Sequence, residues 1–301
     1  MKDETHSDKK TGHVIIDVGD GAAIPKKSDK GLFTAWRISF FGAIGVLLCL
    51  IIFQPDPYQR ILAFLPDGIL VTFEVTVLSI LLALVLGLVT GLGRISKNRA
   101  VNLVASTYVE VVRGIPLLVQ LFYIYFALGE VFSHLPNPAD LAEDLAAWPG
   151  LLVSLATGIC SFLKDMPPLV AAVTAMGVCY GAYMGEVFRA GIESIHKGQT
   201  EAARSLGFNR GQTMFLVILP QAWRTILPPV GNEFIALLKD SSLVSILAVA
   251  DLLRRGREFA SVTFSYFEAY TMVALIYLII TLVLSKGVSA MEARLNYYVR
   301  D

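Results

Sequence analysis

Charged residues are sparse in this chain. Asp, Glu, Lys and Arg make up 17% of its 301 residues, against about 25% in soluble proteins. Acids and bases balance at 25 each, so no basic excess points to nucleic acid. Cysteine is scarcer still. Cys49, Cys160 and Cys179 lie far apart and form no CxxC pair, which argues against a disulfide framework and a thiolate metal site. The four histidines, His6, His13, His134 and His196, have no ligand spacing to one another. A phosphate loop of the G-x-x-x-x-G-K-S/T type is missing. If ATP drives this protein, another chain must bind and hydrolyse it, and no cofactor is expected here.

Apolar residues are abundant: 55% are hydrophobic, with a mean hydropathy of +0.62. They gather in long runs, the pattern of a chain whose solvent is a bilayer. Residues 1–31 are polar and read as a disordered cytoplasmic tail. The first apolar run, Ile38–Phe53, is short for a span, and Leu32–Trp36 extends it if Arg37 snorkels to the interface. A cleaved signal peptide fits less well. The polar stretch ahead is too long, and Gln54-Pro55-Asp56-Pro57 is not a small-residue cleavage site. Five further spans are expected over Ile69–Leu92, Val109–Leu128, Leu169–Phe188, Pro229–Ala250 and Tyr270–Ser285. Phe264, Tyr266 and Phe267 ahead of the last fit an aromatic belt.

Basic residues set the orientation. With the N-terminus inside, segments 1–37, 93–100, 189–239 and 286–301 carry 19 Lys and Arg, and the outer loops carry 5. Both termini are therefore expected in the cytoplasm. The Arg254-Arg255-Arg257 cluster, on an outer loop, runs against the bias. Leu151–Leu163 is too short to cross comfortably, and a crossing there would flip every later loop. It is expected to be interfacial or re-entrant within an outer loop over 128–167, whose acids include Glu130, Asp140, Glu143, Asp144 and Asp165.

Helices in lipid associate through close packing, which small residues four apart allow. Gly177, Gly181 and Gly185 form such a stripe on the fourth span, and Gly87 and Gly91 on the second. In the third, Arg113-Gly114-Ile115-Pro116 predicts a kink or hinge near the cytoplasmic face, because Pro116 removes a donor and Gly114 weakens the turn. Glu110 and Arg113, three apart, either pair on one helical face or act as plain interfacial anchors.

Between the fourth and fifth spans the sequence predicts two short helices at a sharp angle. The first covers Gly198–Leu206 with Glu201 in its first turn, and Gly207 stops it at positive φ. Asn209 caps the second, with Gln212 at the third position as in a capping box. That helix is expected to stop before Pro220. Glu201-Ala202-Ala203, Gly207, Val217 and Leu219-Pro220 at this spacing resemble the "EAA" loop of binding-protein-dependent ABC importer permeases, with Val217 where the pattern usually has Ile. Val112–Phe122, Gly198–Ala203 and Leu237–Leu243 resemble signatures of the polar amino-acid permease subfamily.

The resemblance covers about residues 65–290. It implies an all-α integral membrane fold with six transmembrane helices: a five-helix permease core, one added N-terminal helix, and a cytoplasmic coupling helix. The expected layout is a tail over 1–31, the added helix and outer loop over 32–64, and the permease domain over 65–301. The implied location is the bacterial cytoplasmic (inner) membrane. The implied partners are ABC ATPase subunits, a second permease copy or paralogue, and an extracytoplasmic amino-acid-binding protein. Gly198, Glu201, Ala202, Ala203, Gly207, Leu219 and Pro220 would contact the ATPase. Ionisable groups within a span are transport candidates. Lys239, Asp240, Ser241 and Ser242 interrupt the fifth span, and Asn232 and Glu233 lie seven residues earlier on nearly the same face. They either address a zwitterion or, for Lys239 and Asp240, form a self-satisfied pair. An ion-coupled secondary transporter or channel is the alternative, but neither inverted repeats nor charge chains across several spans support it.

Overall fold

The computed structural model describes residues 15–16, 24–25, 34–134, 140, 150–164 and 166–297. The tail expected over 1–31 lies outside the described residues, apart from an antiparallel pairing of Ile15–Ile16 with Ile24–Pro25. Glu143, Asp144 and Asp165 also lie outside them.

From residue 34 onward the described chain is helical. Four helices are long and apolar enough to cross a membrane: α1 (Ala35–Phe53), α3 (Pro66–Ile95), α8 (Pro168–Glu193) and α13 (Tyr266–Tyr297). Short α2 (Pro55–Phe64) joins the first two. A bent pair, α4 (Arg99–Gly114) and the run that α5 (Leu117–Phe122) opens, makes a fifth crossing if counted as one broken span. That run continues through a wide π-turn at Tyr123–Ala127 into α6 (Leu128–Ser133). The apolar segment expected near 151–163 is the 15-residue helix α7 (Gly150–Lys164), too short to span a bilayer upright.

The core sits where α3 and α8 pack along their length. In the apolar window of α8, 61% is buried, against 6% in α1, so α8 is central and α1 peripheral. The glycine stripes make this contact, as their spacing predicts. A Cβ on Gly87 would lie 2.9 Å from the backbone of Met184, and one on Gly91 would lie 2.9 Å from Gly185 O. Gly177 and Gly181 lie against Leu82 and Leu86, and Gly185 against Thr90. Without side chains the two backbones approach closely and gain dispersion contacts that lipid tails cannot supply.

A second core joins α2, α12 (Leu252–Thr263) and α13 through Tyr58, Ile61, Leu65, Leu252, Phe259 and Met272. Buried Asp251 caps α12, accepting from the Leu253 and Arg254 N–H groups at 3.1 and 3.0 Å. The arginine cluster that ran against the charge bias lies on this helix. Glu258 pairs with Arg254 at 2.9 Å and Arg255 at 3.2 Å, and Arg255 also reaches Asp67 at 4.0 Å and stacks over Phe64. Arg255 thus ties α12 to the start of α3, while Arg254 pairs within α12. Helix α1 is fixed to α13 by Trp36, whose indole N–H donates to Leu282 O at 2.8 Å.

Two expectations are corrected here. The third span begins at Arg99, capped by Asn98, and not at Val109. The first turns of α4 are amphipathic and carry no apolar run, which hid them. The break at Ile115–Pro116 therefore lies 16 residues from that start, about 24 Å along the helix, and not at its entry. The two arms meet at 103°. Second, the helix that follows the capping box does not stop before Pro220. It runs through α10 (Arg210–Gln212), a π-turn at Thr213–Ile218 and α11 (Leu219–Asp240). The widened turn directly ahead of Pro220 takes up the ring and the missing N–H. Pro228 and Pro229 also lie inside α11, so Pro229 starts nothing. The helix ends at Asp240, where a 3₁₀ segment, Ser241–Leu247, takes over. Helix α11 is not apolar enough to count with the other crossings.

Candidate functional site

The broken helix, α8 and α11 enclose a cavity of about 460 Å³. Arg113, Gly114 and Pro116 line it from the break, Cys179, Tyr180 and Tyr183 from α8, and Glu233 and Asp240 from α11. Local chemistry explains why the break holds open. Ending α4 at Gly114 frees carbonyls that a continuous helix would satisfy. The buried side chain of Gln120 reaches back from α5, and its amide donates to Val112 O at 2.8 Å and Ile115 O at 2.9 Å. The same amide lies 3.5 Å from Cys179 Sγ, tying the break to α8.

The cavity brings opposite charges together. Arg113 does not pair with Glu110 among the described residues; its guanidinium lies 5.0 Å over the Tyr183 ring. Glu233 and Asp240, seven residues apart on α11, face it. The Tyr180 hydroxyl donates to Asp240 Oδ2 at 2.8 Å. Asp240 is therefore held by a tyrosine on α8, and the alternative of a self-satisfied Lys239–Asp240 pair does not form. One cation and two carboxylates around a cavity of this size can hold a small zwitterion at both ends. Of the other candidates on α11 and the 3₁₀ segment after it, Asn232 and Lys239 are exposed and Ser242 is half-buried. Ser241 is buried and donates to Leu238 O at 2.7 Å. None of these four lines the cavity.

Tyr180, Tyr183, Cys179 and Gln120 escaped the sequence reading as site residues. The available signal was a pair of tyrosines three apart in an otherwise apolar span.

At one end of the bundle the Gly198–Pro220 loop has the local shape its sequence predicts. Helix α9 (Lys197–Ser205) is capped by His196, whose Nδ1 accepts from the Gly198 N–H at 3.1 Å. Because α9 starts at Lys197, Glu201 falls one residue past its first turn. Gly207 has φ +85°. Its N–H donates to Arg204 O at 2.9 Å, and the Phe208 N–H donates to Ala203 O at 3.1 Å, a Schellman closure. The capping box is complete. The Asn209 N–H donates to Gln212 Oε1 at 3.0 Å, and the Gln212 N–H donates to Asn209 Oδ1 at 2.9 Å. Ala203 is buried, while Glu201, Ala202 and Pro220 are exposed and Gly198 and Leu219 are half-buried. Gln221 ties the second helix to the first by donating to Gln199 Oε1 at 3.3 Å. Nearby, Arg94 on α3 pairs with Glu186 on α8, and Arg189 bridges Glu186 and Glu193.

Residues 79–297 match the family model for binding-protein-dependent transport system inner membrane components. The chain belongs to this family. The permease is 37% identical over 230 residues to the glutamine transport system permease protein GlnP of Escherichia coli (strain K12), covering 76% of this chain and 92% of that one. It is 37% identical over 246 residues to the L-cystine transport system permease protein TcyB of Bacillus subtilis (strain 168), covering 80% and 90%. Its fold is similar to the crystal structure of an amino acid ABC transporter with histidines, at a TM-score of 0.62 and 36% identity, covering 82% of this chain and 98% of that one. The chain is thus a membrane-embedded permease subunit of an ABC importer, a transport component and not an enzyme.

Proposed function

We infer that this permease forms part of the translocation path for a polar amino acid, and that ATP hydrolysis on a partner subunit reaches that path through the Gly198–Pro220 loop. One observation carries the reading. A continuous helical run leads from the capping box at Arg210 to the cavity acid Asp240, a distance of roughly 45 Å. A push on the loop moves a rod whose far end bears Glu233 and Asp240. These acids then approach or leave Arg113 across the cavity, opening it to one side or the other.

In this mechanism Arg113 takes the substrate carboxylate and Glu233 or Asp240 takes the ammonium. The hinge at Gly114 and Pro116 lets the Arg113 arm follow. Gly198, Glu201, Ala202, Gly207, Leu219 and Pro220 form the contact with the ATPase, with the exposed Ala202 keeping the contact face small and the buried Ala203 supporting it from behind. Asn232 and Lys239 stay exposed on α11, as residues facing a second permease copy or paralogue would, and Ser241 and Ser242 flank the end of the path. Helix α11 serves as the sixth crossing. Residues 32–64 are an addition to a permease domain over 65–301. The Lys and Arg distribution supports placing both termini on the cytoplasmic side of the inner membrane. An extracytoplasmic binding protein delivers the substrate; the glutamine and cystine systems of the relatives support an amino acid as cargo.

Vesicles carrying this chain, its ATPase and its binding protein test the reading. Uptake should require ATP and survive collapse of the ion gradients. Uptake that persists without ATP and stops with the ion gradient would make the protein a secondary transporter.

A further inference from the structure

A larger cavity, of about 920 Å³, lies away from the charged one, between the turn joining α3 to α4 and the loop around α9. Its rim carries Lys97, Lys197, Arg204 and Arg210. Among the described residues none of these four has an ion pair. The acid on its wall, Glu193, is held by Arg189. Two helix N-termini add to the positive field. Asn98 caps α4 and borders the cavity, and Lys197 opens α9.

The floor has the opposite character. Ile95 and Ile192 come from the last turns of the spanning helices α3 and α8, and Ile195, Met214 and Ile218 complete it. A four-cation rim above an apolar floor, at the ends of two spanning helices, is a two-part site. An acidic protein surface or a free phosphate ion would satisfy the rim and leave the floor wet. An anionic glycerophospholipid satisfies both, its phosphate at the rim and its upper acyl carbons on the floor.

We propose that this cavity binds the headgroup of an anionic phospholipid, with Lys97 and Arg210 holding the phosphate. The bound lipid wedges between the α3–α4 turn and the Gly198–Pro220 loop. Membrane composition thereby gains a direct hold on the loop.

The test is lipid retention by the full chain in mild detergent, read by native mass spectrometry. Phosphatidylglycerol and phosphatidylcholine with the same acyl chains are the probes. The wild-type chain should retain phosphatidylglycerol preferentially. The Lys97→Gln, Arg210→Gln double variant should lose about thirtyfold of that preference, from the attraction each basic side chain adds near an anionic lipid. Lys97→Arg with Arg210→Lys should restore it, and Lys286→Gln, on α13, should leave it unchanged. Both substituted side chains are exposed, and unaltered thermal unfolding of the double variant separates lost binding from lost fold. Equal retention of the two lipids by the wild-type chain would overturn the proposal. So would release of phosphatidylglycerol by excess inorganic phosphate, which would mark a free-ion site. A double variant that keeps its lipid preference but no longer co-purifies with its ATPase would assign the rim to protein docking instead.

Discussion

The hydroxyl of Tyr180 donates to Asp240 Oδ2 at 2.8 Å, joining the most buried spanning helix to the end of the helix that rises from the Gly198–Pro220 loop. The bond spans two elements that must move relative to each other if the cavity is to open alternately. It also fixes the orientation of a carboxylate that lines the cavity.

Asp240→Ala is expected to cut ATP-driven uptake by at least tenfold, since a hydrogen bond to a charged group contributes about 1.5–3 kcal/mol. Co-purification with the ATPase should be unchanged. Tyr180→Phe should lower uptake by a smaller factor, because the carboxylate remains. Reconstituted vesicles measure both, and normal uptake by Asp240→Ala would remove Asp240 from the path.

Gln120→Leu tests the device that keeps the α4–α5 break open. The substitution strips the donors from Val112 O and Ile115 O. Val112 O keeps only the long bond from the Ile115 N–H at 3.4 Å, and each lost hydrogen bond costs about 0.5–1.5 kcal/mol. A clear fall in the detergent melting temperature is expected, and an unchanged one would show that the break does not depend on this amide.

Gly87→Val places a branched side chain against the Met184 backbone, where even a Cβ would stand 2.9 Å away. Overpacking of this kind costs about 1–3 kcal/mol. Gly42→Ala on α1 is the control, since nothing lies within 4 Å of that Cβ. Thermal unfolding should separate the two variants, and equal stability would contradict close packing of α3 on α8.

The parts of this molecule that were legible in the sequence are those set by nearby residues. The Gly207 turn and the Asn209–Gln212 box are local hydrogen-bond patterns, and both form. The glycine stripes were legible because four-residue spacing on a helix implies a face. What was hidden depends on distant partners or compensating geometry. Pro220 signals a helix end unless a π-turn precedes it, and nothing in the apolar run Phe215–Leu219 announced one. The start of α4 carries Arg99 and Asn102 among apolar residues, so a search for apolar runs passed over it. Arg113 had Glu110 three residues away in sequence, but in the fold its guanidinium lies over Tyr183 on α8 and lines the cavity with the acids of α11. Tyr180 meets Asp240 only because α8 and α11 are neighbours in space.

Gly207→Val bears most directly on coupling. Gly207 sits at φ +85°, where a β-branched residue is strained by about 1–3 kcal/mol, and its turn sets the angle between α9 and the helix leading to Asp240. The decisive measurement is the ratio of substrate taken up to ATP hydrolysed, in vesicles carrying the wild-type or Gly207→Val chain with its ATPase and binding protein. Coupling through this turn predicts that the variant continues to support hydrolysis while uptake falls, so the ratio drops. Coupled transport by Gly207→Val at the wild-type rate and ratio would contradict it.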